Sequence, residues 1–498
     1  MKNETVRVFT KKTDETREQV AEFDIVLPDY YPEVNQILKC SVIPVTESVS
    51  FTGDKLGISG NARATVVFSG EDGTVRVFEA LQKYTKIIRC ESLADGDRCF
   101  VSQDVTQLNY KATGPRRLDI RASVAVGASV FRVDETEFVS DFDDISVEQR
   151  CECFDCFEIK SAESFSFEIS DTVKLPDGVN SESEQLSASG EVFIRETKVI
   201  KNKIMLKGSC AAEFIVSCAD GAVRKFNSEV PFTEVKELYG ADEGELCSVT
   251  ASLKNAHVSL KAMNNGNDAA FSAEIEAVAF TSSKTAKTAV SDAFSLKGVS
   301  ETHRIGVDVI SDIVTVDTTA DASLEADTYD SAPAEVLAAF ADGIRYGCSS
   351  SDGEGKLNGS CVLNAVLKNS AGNIIIVNRT AVFECELPYA DDYFVSVSPS
   401  RVAAELLSGG KVGFSATFAG KGFGLCMKKR EFIADCRVSD DAAISHGGGL
   451  AVYYAQAGEK LWNIAKENRC RVSILKEING IDTEETAENR VVIFPVGI

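Results

Sequence analysis

Residues 204–226 read IMLKGSCAAEFIVSCADGAVRKF, and this stretch decides the fold class of the chain. A strand-like run at 213–216 precedes the pair Asp220-Gly221, and a return run at 223–226 follows it. An Asp-Gly pair between two β-rich runs predicts a β-hairpin, because a type I′ turn needs a positive φ at both central positions. We therefore expect two antiparallel strands joined by a tight turn.

The same pattern occurs three times along the chain. The related stretches are LGISGNARATVVFSGEDGTVRVF at 56–78 and KLNGSCVLNAVLKNSAGNIIIV at 356–377. Two glycines lie 13 residues apart in each copy, and the copies are offset by 148 and then 151 residues. The glycine pairs are Gly60 and Gly73, Gly208 and Gly221, and Gly359 and Gly372. A pattern repeated at a nearly constant offset indicates three copies of one structural unit.

Each copy also contains a later run in which polar and apolar residues alternate, as in a half-buried strand. These runs lie at 117–126, 271–278 and 412–418. We therefore predict a mainly β protein with three β-rich domains, of which the third is the most diverged. The predicted domains span 20–140, 160–290 and 305–440.

Three shorter stretches complete this domain organisation. The polar stretches DFDD at 141–144 and SSKTAK at 282–287 are predicted joints between domains. The stretch AEVLAAF at 334–340 is predicted to form a short helix in the third domain. Gly447-Gly448-Gly449 is predicted to be a flexible linker, because no Gly-Lys-Ser/Thr follows it as in a phosphate-binding loop.

Residues 452–498 show a different order of elements. Leu461, Ile464 and Ala465 lie on one face of a predicted helix, and Asn479-Gly480 ends a second helix because both residues accept a left-handed conformation. The predicted elements are a strand at 452–456, a helix at 460–468, a helix at 472–478 and a strand at 491–495. This order predicts a small α+β domain.

The three-copy pattern resembles the SPOCS domain, the repeated β-domain of bacterial spore coat assembly proteins. The paired glycines and the β-rich runs around them carry the resemblance, which covers most of residues 20–440. It implies three tandem, sandwich-like repeats, and it brings no catalytic residues with it.

The C-terminal segment resembles a LysM domain. From Tyr453 it reads Tyr-x-x-x-x-Gly-Glu-x-Leu-Trp-x-Ile-Ala, and it closes with an apolar-Pro pair. The resemblance implies a βααβ domain at 452–498 that binds N-acetylglucosamine polymers in a groove between two loops. The implied groove residues are Gly458, Glu459, Lys460, Leu461, Trp462, Asn479, Gly480, Ile481 and Asp482. Lys460 and Arg471 precede the two helices, so we expect both helices to lack a good N-cap.

SPOCS-like repeats followed by one LysM-like domain resemble the SipL-like family of spore coat morphogenetic proteins. The resemblance implies a non-enzymatic adaptor of spore envelope assembly, located in the mother-cell cytoplasm at the forespore surface. The implied partner is the morphogenetic ATPase that coats the forespore, bound through the LysM domain and the β repeats. The alternative is a cell-wall protein that binds the glycan chains of peptidoglycan, a function that requires export.

The charge of the chain argues against binding to nucleic acid or membranes, and its cysteines and N-terminal sequence favour an intracellular location. The formal net charge is −24, and such a field repels phosphate backbones and anionic lipid headgroups. No stretch approaches the ~20 apolar residues of a membrane span, and the N-terminal sequence MKNETVR has no apolar signal region. The 15 cysteines are scattered and odd in number, which is typical of reduced thiols in a reducing compartment.

The sequence offers no arrangement typical of catalysis. His257, His303 and His446 are the only histidines, and no nucleophile–histidine pattern accompanies them. Cys151, Cys153 and Cys156 form one local thiol cluster, but a structural zinc site needs about four ligands. We therefore expect no enzymatic activity, no cofactor and no bound metal.

Overall fold

The computed structural model describes residues 1–91, 93–94, 96–262, 268–328, 333–439 and 449–496. These residues form 20 β-strands, two α-helices and a short 3-10 helix at Leu260–Ala262. The prediction of a mainly β fold is confirmed. The first 18 strands are β1 (Lys2–Val26), β2 (Val34–Thr52), β3 (Lys55–Gly70), β4 (Val75–Arg89), β5 (Arg98–Gly114), β6 (Arg117–Asp141), β7 (Val147–Lys174), β8 (Glu184–Ile200), β9 (Lys203–Ser217), β10 (Val223–Glu237), β11 (Leu246–Ser259), β12 (Asp268–Ser295), β13 (Val299–Asp327), β14 (Pro333–Ser351), β15 (Glu354–Asn369), β16 (Ile374–Leu387), β17 (Asp392–Leu407) and β18 (Lys411–Ser439).

These 18 strands form three units of six strands with one recurring strand order. The first unit has one sheet in the order β1-β6-β5 and a second in the order β2-β3-β4. The same order recurs in β7-β12-β11 with β8-β9-β10, and in β13-β18-β17 with β14-β15-β16. An apolar cluster fills the space between the two sheets of each unit. Each unit is therefore a β-sandwich.

The alternating runs identified in the sequence lie in the last long strand of each unit. In β6 the buried residues occur at every second position, because successive side chains of a strand point to opposite faces. They are Leu118, Ile120, Ala122, Val124 and Val126. These side chains form one wall of the sandwich core.

The hairpin turns differ from the type I′ turns that the sequence predicts. The predicted hairpins β3–β4, β9–β10 and β15–β16 are confirmed. In each hairpin a backbone hydrogen bond closes a loop of three residues, at 71–73, 219–221 and 370–372. Only the glycine of each loop has a positive φ, at 77° for Gly73, 77° for Gly221 and 87° for Gly372. Asp72 closes the first loop with its side chain, which accepts a hydrogen bond from the Thr74 backbone N–H at 3.0 Å. The predicted turn type is therefore wrong, because one left-handed glycine suffices in a longer loop.

The first glycine of each pair lies in a strand directly opposite an aromatic residue of the next strand. The cross-strand pairs are Gly60–Tyr84, Gly208–Phe232 and Gly359–Phe383. A Cβ atom at Gly208 would lie 2.8 Å from Cζ of Phe232 and 2.2 Å from the carbonyl oxygen of Phe193. The ring occupies the space that a side chain would need, so glycine is required here for a close approach.

We expect the substitution Gly208→Ala to lower the free energy of unfolding by about 2–3 kcal/mol, because the added methyl group overpacks the strand pair. Urea unfolding monitored by circular dichroism measures this change in the free energy of unfolding. Gly347→Ala in β14 is the matched control, since no atom lies within 4 Å of a Cβ at that position. Equal unfolding midpoints for the two variants would contradict the packing argument.

The three units close into a ring. Strand β4 contacts β8, β10 contacts β14, and β16 contacts β2, so each unit meets the next and the third meets the first. At the centre of the ring each unit contributes apolar side chains from its second and third strands. The members of this central cluster are Leu38, Val67, Leu186, Ile215, Ala338, Phe340 and Val366.

A buried ion pair joins the first and third units beside the central cluster. Nζ of Lys39 in β2 lies 2.8 Å from Oδ2 of Asp342 in β14, and 7% of the Lys39 side chain is exposed. The same ammonium group lies 4.4 Å from the centre of the Phe340 ring. This contact closes the ring between segments that are distant in sequence.

The first and last strands of each unit extend beyond the sandwich and meet in a second shared region, which we call the stem. Each unit supplies three buried residues to it. They are Val6, Val8, Phe138, Phe154, Cys156, Ala289, Val307, Val309 and Phe432. The ring centroid of Phe432 lies 4.8 Å from that of Phe138 and 5.2 Å from that of Phe154. One phenylalanine from each unit thus packs at the centre of the stem.

Two local predictions from the sequence are wrong. Residues 282–287 lie inside β12 and pair with β7, because ladder hydrogen bonds continue through this polar stretch, in which Ser282 is buried and Lys284 is exposed. Residues 334–340 lie in β14 and pair with β15, so strand pairing overrides the helix propensity of their alanines. The stretch 141–144 lies at the link from β6 to β7.

The domain limits 20–140, 160–290 and 305–440 stay predictions. The strands extend further towards the N-terminus in each case, because β1 begins at Lys2, β7 at Val147 and β13 at Val299. The additional residues supply Val6, Val8, Phe154 and Cys156 to the stem, and its other members lie inside the predicted limits. The sequence pattern of the sandwiches does not extend into the additional residues.

Candidate functional site on the C-terminal module

The C-terminal module consists of two strands and two helices. They are β19 (Gly449–Ala455), α1 (Leu461–Glu467), α2 (Val472–Asn479) and β20 (Arg490–Val496). Strands β19 and β20 pair in antiparallel fashion, and a buried cluster joins one face of this sheet to the helices. Neither Lys460 nor Arg471 caps its helix through its side chain, as expected from the sequence. Gly480 ends α2 with a φ of 57°.

Three of the nine groove residues implied by the sequence are buried, Leu461 and Ile481 within the module and Trp462 where the module meets β12. Leu461, Trp462 and Ile481 have 0%, 8% and 5% of their surface exposed. Ligand binding by all nine residues stays a prediction.

The other implied groove residues, except Asn479 at the end of α2, lie in two loops that are hydrogen-bonded to each other. Gly458 N–H donates to the Thr486 carbonyl at 2.7 Å, and Leu461 N–H donates to the Glu484 carbonyl at 2.9 Å. The Glu459 carboxylate accepts a hydrogen bond from the Tyr453 hydroxyl at 2.6 Å, which raises the pKa of Tyr453 to about 12. Lys460 and Asp482 are exposed. The two loops thus form one continuous surface next to the start of α1.

Asn479 holds the last strand in place. Its side-chain amide donates to the Ile493 carbonyl at 2.7 Å, and its side-chain oxygen accepts from the Ile493 N–H at 2.7 Å. With these two hydrogen bonds the Asn479 side chain pairs with Ile493 as the backbone of a neighbouring strand would, and it joins α2 to β20. Its presence in the motif is therefore explained by the fold of the module.

We call the three units and their stem the body. Trp462 is the main contact between the C-terminal module and the stem end of this body. Its indole N–H donates to Oδ2 of Asp292 in β12 at 2.7 Å, and its ring centroid lies 5.1 Å from that of Phe294 in a T-shaped arrangement. Lys466 of α1 donates to Oδ1 of the same carboxylate at 2.6 Å, and Arg304 of β13 also donates to it at 2.9 Å. Asp292 is thus the centre of the docking contact, which the sequence alone did not reveal.

The protonation of Asp292 should control this docking. Burial raises the pKa of Asp292, but hydrogen bonds from Lys466 and Trp462 outweigh burial and hold it below its ordinary value. Because the docked pKa is lowered, the stabilisation is complete above the ordinary aspartate pKa of about 3.9 and is lost as the pH falls below it. We expect Asp292→Asn to weaken docking by about 2 kcal/mol and to abolish this pH dependence.

Tryptophan fluorescence measures this prediction directly, because Trp462 is the only tryptophan in the chain. We expect a red shift of the emission in Asp292→Asn at neutral pH, and in the unchanged protein only under acid. Asp155→Asn is the matched control, since Asp155 is an exposed aspartate of the neighbouring strand β7. An emission maximum in Asp292→Asn identical to that of the unchanged protein would contradict the assignment.

The other face of the β19–β20 sheet is apolar and open to solvent. It consists of cross-strand neighbours in which Val452 pairs with Ile493 and Tyr454 pairs with Val491. We call it the outward sheet face, and its large residues are Leu450, Val452, Tyr454, Val491 and Ile493, which are 70%, 59%, 79%, 43% and 37% exposed. Sequence reasoning missed this face, although apolar residues at every position of 450–454 were a readable signal that both faces of the strand are apolar.

A cavity of about 1410 Å³ lies between the three units of the ring. Its charged side chains include Lys254, which lies 2.9 Å from Glu276, and Lys421, which lies 2.5 Å from Glu191 of the second unit. Burial raises the pKa of Asp104, which also faces the cavity. The two lysine–glutamate pairs support contacts between strands and between units.

The candidate residues for chemistry are spread over the body. Cys151 and Cys153 are exposed on β7 and Cys156 is buried, so the predicted thiol cluster does not share one face. His257 lies in β11 and His303 in β13. His446, Gly447 and Gly448 lie outside the described residues. Within the described ranges, no group of three acidic, cysteine or histidine side chains is placed to hold a metal ion.

The helices in the described part of the chain are too short or too polar to cross a bilayer.

Comparison with known families identifies one segment. Residues 183–261 match the family model described as SipL, SPOCS domain. The matched segment begins next to β8 and ends in the 3-10 helix after β11, so it covers four of the six strands of the second unit. No curated protein and no solved structure matches the chain. The second unit is therefore similar to a SPOCS domain over these four strands.

Proposed function

We propose that this chain is a SipL-like sporulation protein that acts as a non-enzymatic adaptor in the assembly of the bacterial spore envelope. The observation that carries the proposal is the SPOCS match at 183–261. The matched strands belong to a unit whose strand order recurs in the first and third units. Three SPOCS-type units in one chain are the architecture expected of a coat assembly protein.

The proposed partner is the morphogenetic ATPase that coats the forespore, and the proposed location is the mother-cell cytoplasm at the forespore surface. Three β units and a C-terminal module offer several separate surfaces, and simultaneous weak contacts through them give high overall avidity. The net charge of −24 supports a protein partner over nucleic acid or an anionic membrane surface. The C-terminal module would act as a LysM domain that contacts protein.

The location of a fluorescent fusion in sporulating cells tests this function. We expect the full chain to form a ring around the forespore, and we expect the ring to disperse when residues 449–498 are deleted. A fusion that carries Tyr30→Glu serves as a control for surface change, because Tyr30 is an exposed residue of the first unit. Signal along the peripheral wall, or a location independent of sporulation, would contradict the proposal.

A second measurement tests the alternative function, which is binding to peptidoglycan. Purified full chain is sedimented with isolated peptidoglycan, and the bound fraction is compared with that of the chain lacking 449–498. We expect no binding that depends on the module, because three of the implied groove residues are buried in the full chain. Tight binding that requires the module would favour the cell-wall function.

A further inference from the structure

The outward sheet face is the largest unpartnered apolar feature of the C-terminal module. Sheets in proteins bury their apolar face against another layer, and the opposite face of this sheet is already covered by α1 and α2. The five exposed side chains present roughly 500 Å² of surface, which is in the range of patches that mark interaction sites. A second layer is therefore missing from this side.

We propose that the outward sheet face binds a short amphipathic helix with basic flanking residues, supplied by the protein partner. This inference rests on the proposed adaptor function and names the chemistry of the partner segment. The helix would lay its apolar stripe across Val452, Tyr454 and Ile493. Its basic residues would meet the acidic loop that precedes β20.

The dimensions of the face fit a helix of two to three turns. Strand residues rise about 3.4 Å each, so the distance from Leu450 to Tyr454 is about 14 Å. A helix rises 1.5 Å per residue, so about nine residues span this length. A helix is about 10 Å wide, which covers two strands that lie about 5 Å apart. Apolar side chains of the helix at i, i+3, i+4 and i+7 would then reach Leu450, the Val452–Ile493 pair and the Tyr454–Val491 pair.

The charges around the face favour a basic partner. The loop between α2 and β20 carries four exposed carboxylates, and it leads into the Tyr454–Val491 end of the face. They are Asp482, Glu484, Glu485 and Glu488. Glu484 pairs with Lys476 and with Arg150 of β7, so Asp482, Glu485 and Glu488 are the carboxylates that would meet a partner. Together with the net charge of −24, this rim attracts lysine and arginine side chains.

Two other occupants fit less well. A second copy would bury roughly 500 Å² per partner, below the ~800 Å² of a standard interface, and each copy carries a charge of −24. The flanking segments 440–448 and 497–498 contain only two large aliphatic residues, Ile444 and Ile498. Neither segment has the spacing of apolar residues that would cover five side chains.

A designed peptide tests the proposal on the purified full chain. The probe is a fluorescent helical peptide with leucines at i, i+3, i+4 and i+7 and lysines at the flanks, and its scrambled version is the control probe. We expect saturable binding by fluorescence anisotropy, an affinity that falls with salt, and a loss of about tenfold or more in Tyr454→Glu. Tyr30→Glu is the matched control, because Tyr30 is 81% exposed and lies on the first unit.

Equal binding of the scrambled peptide, or equal affinity of Tyr454→Glu and the unchanged chain, would overturn the proposal. Dimers in sedimentation velocity that dissociate in Tyr454→Glu would also overturn it, because they assign the face to a second copy. The forespore ring assay separates this inference from the proposed function. If the ring persists in Tyr454→Glu, the outward sheet face is not the docking site, but the adaptor function stands. If the unchanged protein forms no ring, the adaptor function itself is rejected.

Discussion

Replacement of Phe138 by alanine is expected to lower the free energy of unfolding by about 3–5 kcal/mol. Phe138 has 0% of its surface exposed, and its ring packs at the centre of the stem, 4.8 Å from the ring of Phe432 of the third unit and 6.5 Å from that of Phe154 of the second. Its removal would create a cavity at the point where all three units meet. The loss includes the transfer free energy of the ring and the contacts of the cavity walls.

Urea unfolding followed by circular dichroism measures this loss. Phe51→Ala is the matched control, because Phe51 is 43% exposed at the end of β2 and its truncation should cost less than ~1 kcal/mol. Phe138→Leu should recover part of the loss, since it leaves a smaller cavity. If Phe138→Ala and Phe51→Ala unfold at the same urea concentration, the stem does not contribute to the stability of the body.

Replacement of Lys39 by alanine is expected to cost about 3 kcal/mol or more, because it leaves the Asp342 carboxylate without its ion partner. The Lys39 side chain is 7% exposed and that of Asp342 is 24% exposed, so this pair is shielded from water far better than an ordinary surface pair. The same change removes the contact of the ammonium group with the Phe340 ring. Both contacts close the ring between the first and third units.

A double-mutant cycle with Lys39→Met and Asp342→Asn isolates the charge contribution. Methionine keeps an aliphatic chain against Phe340, so the stability lost in Lys39→Met reports on the ion pair and the ammonium–ring contact, and the cycle separates the ion pair. We expect the double variant to be more stable than the sum of the single losses predicts, because the unpaired charge is gone. The exposed pair Lys83 and Glu47 provides the control cycle, where the coupling should be below ~1 kcal/mol. Additive losses at Lys39 and Asp342 would show that the pair is not coupled.

The strands and hairpins of the body could be predicted from the sequence because their signals are local. The glycine and aspartate at 72–73 and 220–221 mark turns, and the alternation at 117–126 marks a half-buried strand. The turn type of these hairpins was predicted wrongly. It depends on the number of loop residues, and an Asp-Gly pair does not define that number. The residues 334–340 were assigned wrongly because a short apolar run rich in alanine fits a helix or a strand equally well.

The contacts between units could not be predicted, because they depend on which faces of distant strands meet. Phe138, Phe154 and Phe432 resemble any other core residues in the sequence, and the pairing of Lys39 with Asp342 spans 303 positions. One missed signal was readable: an aromatic residue follows each first glycine by 24 positions, as Tyr84, Phe232 and Phe383. It indicates which strand lies opposite the glycine.

The candidate site shows the same division. The helices of the C-terminal module and their missing N-caps follow from the local sequence. The position of Trp462 does not, since a tryptophan in this motif fits the core or a ligand groove, and only Asp292 and Phe294 decide between them. The outward sheet face depends on which side the helices cover, a choice that the strand sequence at 450–454 leaves open.

The closed ring also determines the order of events during protein synthesis. The contact between β16 and β2 joins segments more than 300 residues apart, so it forms only after the third unit has left the ribosome. At about 5–20 residues per second, the first unit waits roughly 15–60 s for its partner. During this time the inward side chains of the first two units, such as Val67 and Ile215, are open to solvent. Contacts of such long range make folding slow, and the nascent chain must remain soluble until its last sandwich is complete.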